Sequence, residues 1–588
     1  MRNAELARVF RDLAAYLDME GVPFKPRAYE KAAQAIESHD RPLGEVYRAG
    51  SVKALRQIPG IGASMADKLE ELITTGKCKL REQYHRRMPV DLAALTALEG
   101  VGPKGVKVLY ERLRVRTLAD LAAAARAGKI RVLPHFGERS EQKILKALAF
   151  AQTSGQRIPL AVAGPAVDEL AAALARIPGV DRVAIAGSIR RRKETVGDAD
   201  LLAVARKADA AIAAFAKLPQ VARVIGQGGT KCSVKLGDGF QVDLRVVPAE
   251  SFGAALLYFT GNKAHNVVLR QLAMKRKWKL NEYGLFRGTR RIAGRTEEEI
   301  YDRLGLAWIP PVLREDQGEI DAARTRTLPR LVEPGDLRGD LQTQTDWTDG
   351  QDSLEAMALA AREAGLEYVA ITDHTVSLAM TGGCDARKLR RQMREIARLD
   401  ATLDGIRILA GAEVNINKDG TLDIDDETLA QLDVVGVAVH SHFNLPRSEQ
   451  TGRIIRAMRN PHADILFHPT GRVIGKREPY DVDMDAVIAA ARETGTVLEL
   501  DAYPERLDLR DEHVRRAVQA GVPIVIDSDA HSVKHLGFPR AYGVDQARRG
   551  WATAEDVLNT RPVEAFLAAL KGGGARRREA GRRSRRAR

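Results

Sequence analysis

The stretch of sequence that decides the fold is GSIRRRKETVGDADLLAV, residues 187–204. It contains Asp198 and Asp200, which stand two residues apart at the start of an apolar run. Residues two apart on a β-strand face the same side, so these carboxylates converge as the ligands of a hard cation such as Mg²⁺ do. The glycine and serine that open the stretch precede a basic run, 190–193, whose side chains can bind phosphate. Metal ligands beside a phosphate-binding turn indicate phosphoryl or nucleotidyl transfer.

A third aspartate, Asp243, lies in FQVDLRVV, residues 240–247, where it alternates with Val242 and Leu244. Such alternation predicts a β-strand with one buried face. A single aspartate on a strand is usually solvent-facing. Beside the pair of aspartates, a third carboxylate on a neighbouring strand would instead complete a site for two divalent cations, and we favour that interpretation.

The composition agrees with an anionic partner such as nucleic acid. The 588 residues carry a formal net charge of +14, and the tail, 571–588, has nine basic residues and one acidic residue, which leaves +6 on the rest. We expect a disordered tail that either binds nucleic acid unspecifically or only aids solubility. Three widely spaced cysteines, Cys78, Cys232 and Cys384, predict no disulfide and a reducing cytoplasm. We expect no membrane span, which needs roughly 20 apolar residues, and no signal peptide.

Residues 1–84 predict helices, because apolar residues recur at helical spacing. Three related motifs are IPGIG at 58–62, EGVG at 99–102 and LPHFG at 133–137. The first two each precede a segment compatible with a helix, which predicts helix-hairpin-helix motifs that bind phosphate at helix N-termini. In the third, His135 replaces a glycine, and we interpret that motif as structural. The residues expected to contact DNA are Gly60, Gly62, Lys68, Gly100, Gly102, Lys104 and Lys107.

Aromatic residues mark a bend after the third aspartate. Tyr258 and Phe259 are followed by Gly261, and we expect one of the two rings to belong to the core. Asn266 and Arg270 follow on a predicted helix, where a spacing of four places them on one face.

Residues 337–570 alternate strand-like and helix-like segments, which predicts parallel strands with crossover helices closed into a barrel. Polar residues follow the predicted strands, at the end where barrel enzymes place their chemistry. A single histidine is more often a core or surface residue, but a set of carboxylates and histidines at these ends favours metal binding. The set consists of Asp373, His374, Glu413, His440, His468, Asp529 and His531.

Residues 1–315 resemble the family X DNA polymerases, the group that includes DNA polymerase beta. The motifs that carry the resemblance are PGIG, EGVG, GSIRR, GDADLL, QVDLR, YFTGN and LNEYGLF, in the family's order. The resemblance implies a DNA polymerase that fills short gaps in base excision repair. Its implied partners are dNTPs and gapped or primed DNA with a 5′-phosphate. It implies Asp198, Asp200 and Asp243 as ligands of two Mg²⁺ ions, or of Mn²⁺, with Asp243 near the primer 3′-OH.

The resemblance also implies roles for residues around this site. Those that fall at dNTP-binding positions are Gly187, Ser188, Arg191, Tyr258, Phe259, Gly261, Asn266 and Arg270. Arg245 matches an arginine that pairs with the catalytic carboxylates in resting states. Those that match a pocket for a 5′-phosphate are Lys25, Arg27, Tyr29 and Lys68. Lys68 also matches a Schiff-base lysine, but Ser64 replaces another basic residue of that pocket, so both lyase chemistry and simple phosphate binding stay open.

Residues 337–570 resemble a PHP (polymerase and histidinol phosphatase) domain through the motifs TDH, GAE, VAVHSH, FHP and SDAH. Such a domain is a distorted (β/α)7 barrel whose three metals, Zn²⁺ or Mn²⁺, serve phosphoester hydrolysis. The resemblance implies one metal held by Asp349, His374 and His531, and a second held by Glu413, His440 and His468. A third would keep Glu413 and Asp529 but lose two histidines, because Gln342 and Gln344 stand at the family's HxH positions.

An amide is a weaker ligand than imidazole for these metals. We therefore expect two well-bound metals, a weak or empty third position, and a weak or lost 3′–5′ exonuclease or phosphoesterase activity. His442 and His535 receive no ligand role and are interpreted as surface residues or as neighbours of the ligands.

The expected fold is multidomain, α+β followed by α/β. The first half is expected to contain a helical DNA-binding domain at 1–84, a second helix-hairpin-helix subdomain at 85–157, a nucleotidyltransferase palm at 158–257 and a thumb-type nucleotide-selection subdomain at 258–318. A linker at 319–336, a PHP barrel at 337–570 and a basic tail at 571–588 are expected to follow. We expect a cytoplasmic, nucleoid-associated monomer. Two alternatives are a barrel nuclease that uses the first half to dock on DNA and a non-enzymatic repair scaffold, and the intact aspartate trio favours the polymerase over both.

Overall fold

The computed structural model describes residues 1–571 apart from 2, 40, 59, 97, 99, 100, 135, 155, 156, 238, 379 and 380. Gly100, His135 and nearly all of the predicted tail therefore lie outside the described residues. The chain divides into one compact unit before Arg157, with which the short segment Gly475–Arg477 groups, and a second unit from Arg157 onward. Among the described helices, none combines the length and the apolar content that a membrane crossing requires.

The first unit is helical, as predicted. Its helices are Asn3–Met19, Lys25–Ser38, Leu43–Leu55, Ala63–Thr75, Lys79–Arg87, Leu92–Thr96, Pro103–Leu113, Leu118–Arg126 and Glu138–Ser154. Leu6, Phe10 and Leu13 recur along one face of the first helix and are fully buried, so the apolar periodicity that predicted this helix is also what packs it. Gly60 adopts a φ of 82° in the turn before Ala63–Thr75, a conformation that favours glycine.

The second unit begins with a five-stranded sheet that carries the three aspartates. In spatial order its strands are Val180–Ile185, Asp198–Ala205, Gln241–Val246, Lys231–Leu236 and Val221–Gln227. Asp198–Ala205 and Gln241–Val246 are parallel, and the other neighbours are antiparallel. The helices Leu160–Ala175 and Ala208–Phe215 contribute to the buried cluster on one face of this sheet.

Along the two parallel strands, alternate side chains point into the buried core and toward the opposite face of the sheet, where the aspartates lie. Leu201 and Ala203 on one strand, and Val242 and Leu244 on the other, belong to the buried cluster with the helices. Because side chains alternate between faces, the aspartates between them point to the opposite side of the sheet.

A mixed subdomain follows the sheet. Its helices are Phe252–Thr260, Lys263–Lys275 and Glu297–Arg303. Its three antiparallel strands are Trp278–Asn281, Gly284–Arg287 and Arg290–Ala293. The same part of the chain also contains two short helices, Gly187–Arg190 and Ala249–Ser251, and a two-stranded pair formed by Ile158–Pro159 and Thr195–Val196.

The segment 319–336, interpreted from the sequence as a linker, is not an extended connection. It starts with the helix Glu319–Thr325, in which Ile320 and Ala323 join the buried cluster of the preceding subdomain. Glu319 is fully buried and its Oε1 lies 2.7 Å from Nδ1 of His265. Composition suggested a linker because the region is rich in proline and charge, whereas these burials depend on residues more than 50 positions away.

The last part of the chain is the predicted barrel. Within the described residues, seven parallel strands neighbour each other in chain order: Gly339–Thr343, Tyr368–Ile371, Arg407–Asn415, Val434–Ala438, Ile465–Leu466, Val497–Asp501 and Ile524–Asp527. Near the first strand, the backbone N–H of Gln344 donates to Ala530 O at 2.8 Å, beside the last strand, so the barrel is nearly closed. The helices around it are Leu354–Glu363, Ala386–Thr402, Asp426–Leu429, Arg447–Met458, Met484–Thr494, Asp511–Gln519, Val544–Arg549 and Val563–Ala569. Tyr368 and Ala370 belong to one buried cluster and Val369 and Ile371 to another, as expected for strands buried on both faces.

Candidate active sites

Strand pairing brings the three aspartates of the sheet together. Asp200 lies opposite Asp243 in the parallel pair, and Asp198 lies opposite Gln241, so all three carboxylates emerge on one face at neighbouring positions. This arrangement follows from the two-residue spacing and from the register of the two strands. The sequence predicts the spacing, while the register is a property of the folded sheet.

Gly187 lies directly against this group. It begins the short helix Gly187–Arg190 with a φ of 64°, and a Cβ at this position would lie 2.8 Å from Asp200 Oδ2. The backbone N–H of Ala186 donates to Asp200 O at 2.8 Å. Only glycine allows this turn to approach the carboxylate so closely.

The charges of the three carboxylates are only partly balanced. Burial, followed by the negative charges of Asp198 and Asp243, raises the pKa of Asp200 to about 6. Burial also acts to raise the pKa of Asp243, but hydrogen bonds led by that from Lys231, which lies 3.0 Å away, outweigh it and lower the pKa. Such a concentration of negative charge beside a glycine-lined turn fits the binding of divalent cations.

The carboxylates do not converge as closely as the sequence suggested. Among the described residues, the groups of three or more potential metal ligands whose ligand atoms lie within 4.8 Å of one another are both in the barrel. Asp243 accepts a hydrogen bond at 3.1 Å from Gln241, on its own strand, and pairs with Lys231 on the neighbouring strand. Arg245 was expected to pair with the carboxylates, but its guanidinium lies over the ring of Phe259, 4.3 Å from the ring centre. Lys231, which the sequence analysis missed, makes the ion pair instead.

The basic run after the turn is bound to distant acidic residues rather than free for phosphate. Arg190 forms two hydrogen bonds with Glu297, at 2.6 and 2.8 Å, and Arg314 forms two more with the same carboxylate. Arg192 pairs with Asp545 of the barrel, and Lys193 lies 3.6 Å from Asp511. The side chains of Arg190, Arg192 and Lys193 are therefore bound by partners far along the chain, and phosphate binding by this run stays a prediction.

Arg191 is held in the same region. Its Nε donates to Glu315 Oε1 at 3.1 Å, and its Nη1 donates to Thr260 O. Gly261, at the C-terminal end of the helix Phe252–Thr260, has a φ of 67° and lies against this guanidinium. Arg191 also lines a cleft of about 480 Å³ with Ser188, so the two predicted triphosphate contacts share one cavity. The cleft also contains Arg157, which the sequence analysis missed.

The predicted nucleotide-selection residues lie together at the end of that helix. Tyr258 is 39% exposed and packs edge to face on Phe259, at 5.1 Å between ring centres. Asn266 Nδ2 donates to Tyr258 O at 2.7 Å, and Arg270 Nε donates to Asn266 O at 3.3 Å. Asn266 therefore lies beside the backbone of Tyr258, Arg270 lies one turn further along the same helix, and their contact with a nucleotide stays a prediction.

In the first unit, the predicted phosphate pocket is partly formed. Lys68 Nζ donates to Ser64 Oγ at 2.9 Å and lies 5.9 Å from the centre of the Tyr29 ring. Lys25 and Arg27 are in the first turn of the helix Lys25–Ser38.

The two hairpin glycines precede helices with open N-termini. Gly62 and Gly102 are the residues before the helices Ala63–Thr75 and Pro103–Leu113, and a Cβ at either would meet no atom within 4 Å. Lys104 is mostly exposed and 3.9 Å from Asp18. These open N-termini leave backbone N–H groups available to an anion.

The barrel gathers metal-ligating side chains around one carboxylate, Glu413. Its Oε1 lies 2.9 Å from His440 Nε2 and 2.8 Å from His468 Nε2, while its Oε2 lies 3.3 Å from His374 Nδ1. Burial opposes ionisation of Glu413, but the nearby histidines, His374 first, outweigh it and lower its pKa well below the usual range. A buried carboxylate among imidazole nitrogens suits a borderline cation such as Zn²⁺ or Mn²⁺.

Two sets of ligands are close enough to share an ion. The first is the predicted group of Asp349, His374 and His531. The second contains Glu413 and His440 as predicted, with His374 in place of His468. His374 therefore belongs to both groups.

At the third predicted metal position, two glutamines stand where a PHP site would have histidines. Gln344 is fully buried and its Nε2 donates to Glu413 Oε2 at 2.8 Å, while the amide of Gln342 faces Glu499. The Arg506 guanidinium lies 3.4 Å from Asp529 and 3.4 Å from Asp501. Gln344 thus donates to one carboxylate and Arg506 faces two others where imidazole ligands would be needed, so these residues do not fit a third ion.

The two remaining histidines match their predicted description. His535 Nδ1 accepts from the backbone N–H of His531 at 3.3 Å and stacks on Phe538, so it supports a ligand. His442 is exposed.

Comparison with known proteins covers both halves of the chain. Family models match a helix-hairpin-helix domain at 1–78, a SAM-like helix-hairpin-helix tandem at 92–149, a DNA polymerase beta thumb at 255–315 and a PHP domain at 340–490. The chain is 38% identical over 575 residues to the DNA polymerase/3′-5′ exonuclease PolX of Bacillus subtilis, covering 96% of this chain and 99% of the relative. It is 26% identical over 349 residues to DNA polymerase lambda of Arabidopsis thaliana, covering 53% of this chain and 61% of that protein. A probable phosphatase of Acetivibrio thermocellus is 31% identical over 199 residues, covering 32% of this chain and 78% of the relative.

Proposed function

Because this chain belongs to the bacterial family X DNA polymerases that carry a C-terminal PHP domain, we propose that it fills short gaps during DNA repair of the base excision type. Its substrates would be dNTPs and gapped DNA with a 5′-phosphate. The protein would act as a monomer on the nucleoid. The observation that carries this proposal is the strand register that sets Asp200 opposite Asp243 beside Gly187.

Asp198, Asp200 and Asp243 would hold two Mg²⁺ ions, or Mn²⁺. Such ions would supply charge that favours ionisation of the primer 3′-OH and departure of pyrophosphate. The protein's own contribution is to position the reactants and to place charge, which accounts for most of the catalysis in phosphoryl transfer. Lys231 would release Asp243 when the ions bind, since both compete for the same oxygens.

The cleft with Ser188 and Arg191 would take the triphosphate of the dNTP. The exposed ring of Tyr258 would lie against the sugar, with Asn266 held behind it. The open helix N-termini after Gly62 and Gly102 would bind the DNA backbone on either side of the gap, because the bond to a phosphate needs only unsatisfied N–H groups.

A second candidate activity belongs to the barrel. Its two ligand groups, joined by His374, favour a pair of Zn²⁺ or Mn²⁺ ions, which would supply a nucleophile for phosphoester hydrolysis. Gln344 and Arg506 take the place of the third ion. We therefore propose a weak 3′–5′ exonuclease or phosphoesterase activity that is secondary to synthesis.

A primer-extension assay on a one-nucleotide gap with a 5′-phosphate tests the proposal. The full-length chain should add one nucleotide when dNTP and Mg²⁺ are present. Asp200→Asn should reduce the rate by at least about 10³-fold while leaving affinity for the gapped DNA nearly unchanged. Asp181→Asn is the matched control, since Asp181 lies on the same sheet and, within the described part of the chain, its ion pair is with exposed Arg206 at 3.5 Å. Primer extension by Asp200→Asn at the control's rate would refute the assignment of Asp200 to the polymerase site. Shortening of the primer in the absence of dNTP would indicate the exonuclease activity proposed for the barrel.

A further inference from the structure

One arginine of the barrel reaches into the polymerase half. Arg549 ends the helix Val544–Arg549, and its side chain is 2% exposed. It donates to Arg191 O at 2.8 Å, to Glu315 Oε1 at 3.2 Å and to Asp511 Oδ2 at 2.6 Å. Two of these three acceptors belong to the polymerase half.

Glu315 is shared between two arginines. Its Oε1 accepts from Arg191 Nε at 3.1 Å and from Arg549, and its Oε2 accepts from Asn262 at 2.8 Å. Burial acts to raise the pKa of Glu315, but the attraction of Arg549 leads the effects that outweigh it and lower the pKa. Glu315 is therefore a charged carboxylate in a largely buried place.

Arg191 already lines the cleft, but it has to give up its present acceptors to turn its Nε and Nη1 to a triphosphate. Its guanidinium is 14% exposed, and its Nε and Nη1 donate to Glu315 and to Thr260 O. If Arg191 gave these donors to a phosphate, Glu315 would lose one of the three cations that lower its pKa, and of the other two, Arg549 and Lys193, Arg549 acts most strongly. A buried carboxylate without a cation is strongly disfavoured, so the release of Arg191 depends on what remains beside Glu315.

We propose that Arg549 is a positioning residue for DNA synthesis, which keeps Glu315 paired while Arg191 moves to the triphosphate of the incoming nucleotide. This inference rests on the proposed polymerase function. It makes nucleotide affinity in one half of the chain depend on an arginine of the other half.

Other ion pairs also connect the turn that begins at Gly187 to the barrel. Glu194, seven residues after Gly187, forms two hydrogen bonds with Arg472 of the barrel, at 3.0 and 2.7 Å, and Arg472 is itself 2% exposed. Arg192 and Lys193 add pairs to Asp545 and Asp511. The barrel therefore holds the backbone of the turn, so that only the side chain of Arg191 has to move.

Steady-state gap filling with the full-length chain tests the proposal through KM for dNTP. Arg549→Met should raise this KM by about tenfold and change kcat by less than about threefold, because binding is impaired and chemistry is not. Arg549→Lys should recover part of the affinity. Arg548→Met is the matched control, because the neighbouring Arg548 pairs with Glu333 at 2.6 Å and does not reach the turn.

A double variant distinguishes positioning from general support of the fold. With Glu315→Gln, no charge is left behind when Arg191 moves, so adding Arg549→Met should raise KM no further. A KM increase that persists in the Glu315→Gln background, or an unchanged KM in Arg549→Met, would overturn the proposal. If Arg549→Met does not fold, Arg549→Lys in both backgrounds answers the same question by the same criterion. A wild-type chain that extends no primer would refute the polymerase proposal itself, so the two failures are distinguishable.

Discussion

Gly187→Ala tests how closely the turn and Asp200 are packed. The added Cβ would lie 2.8 Å from Asp200 Oδ2, whereas ordinary contact begins near 3.4 Å. The carboxylate must then retreat by about 0.6 Å, because atoms do not approach within their contact distance at low cost. A misplacement of about 1 Å at a reacting group costs about 10²-fold, so we expect kcat to fall by about 10- to 20-fold.

The same substitution also strains the backbone. A φ of 64° costs an L-residue about 1–2 kcal/mol relative to glycine, which corresponds to about 2–8 °C in melting temperature for a domain of this kind. Gly179→Ala separates the two effects, since Gly179 has a φ of 86° but a Cβ there would meet no atom within 4 Å. Both variants should lose similar thermal stability, and only Gly187→Ala should lose kcat in single-nucleotide gap filling. Equal kcat values in the two variants would refute the argument from close packing.

Two further predictions concern charge and metal binding. Glu297 is buried between Arg190 and Arg314; burial acts to raise its pKa, but hydrogen bonds from the two arginines lower it to about 2, against 4.5 for an ordinary glutamate. The stability that this lowered pKa contributes is present above pH 4.5 and is lost as pH falls toward 2. Glu297→Gln should therefore lower the free energy of unfolding, measured in urea, by about 3 kcal/mol at pH 7 and by less at pH 3. An unchanged urea midpoint at pH 7 would contradict this prediction. For the barrel, elemental analysis of the purified chain should find two tightly held Zn²⁺ or Mn²⁺ ions beyond any Mg²⁺. His374→Ala and His531→Ala should each lose the ion of the group with Asp349, because a neutral imidazole ligates one ion, while the ion at Glu413 keeps His440 and His468. Three tightly held ions in the unmodified barrel would show that Gln344 and Arg506 do not replace the third.

The sequence predicted best where structure follows from spacing along the chain. The buried face of the first helix, the strands around Asp200 and Asp243, and the alternation of strands and helices in the barrel all follow from patterns along the chain, and the fold class is confirmed. The motifs also identified the family, which the full-length relative confirms. These features depend on residues close in sequence, whose periodicity decides which side chains share a face.

The partners of the charged residues could not be predicted in the same way. Arg190 pairs with Glu297, 107 positions away, and Arg192 pairs with Asp545, 353 positions away. A basic run carries no information about which carboxylates will reach it, so phosphate binding was the natural interpretation. The same holds for Lys231 beside Asp243.

The sequence by itself determined the chemistry available in each half, namely three aspartates on strands and a barrel that has glutamines where two histidines were expected. The tertiary structure alone decided how that chemistry is held. It turned Gln344 and Arg506 into partners of Glu413 and Asp529, and it placed Arg549 beside Arg191. The physical reason is that charge pairing acts across space, so its partners are chosen when the chain is folded and not by their distance along it.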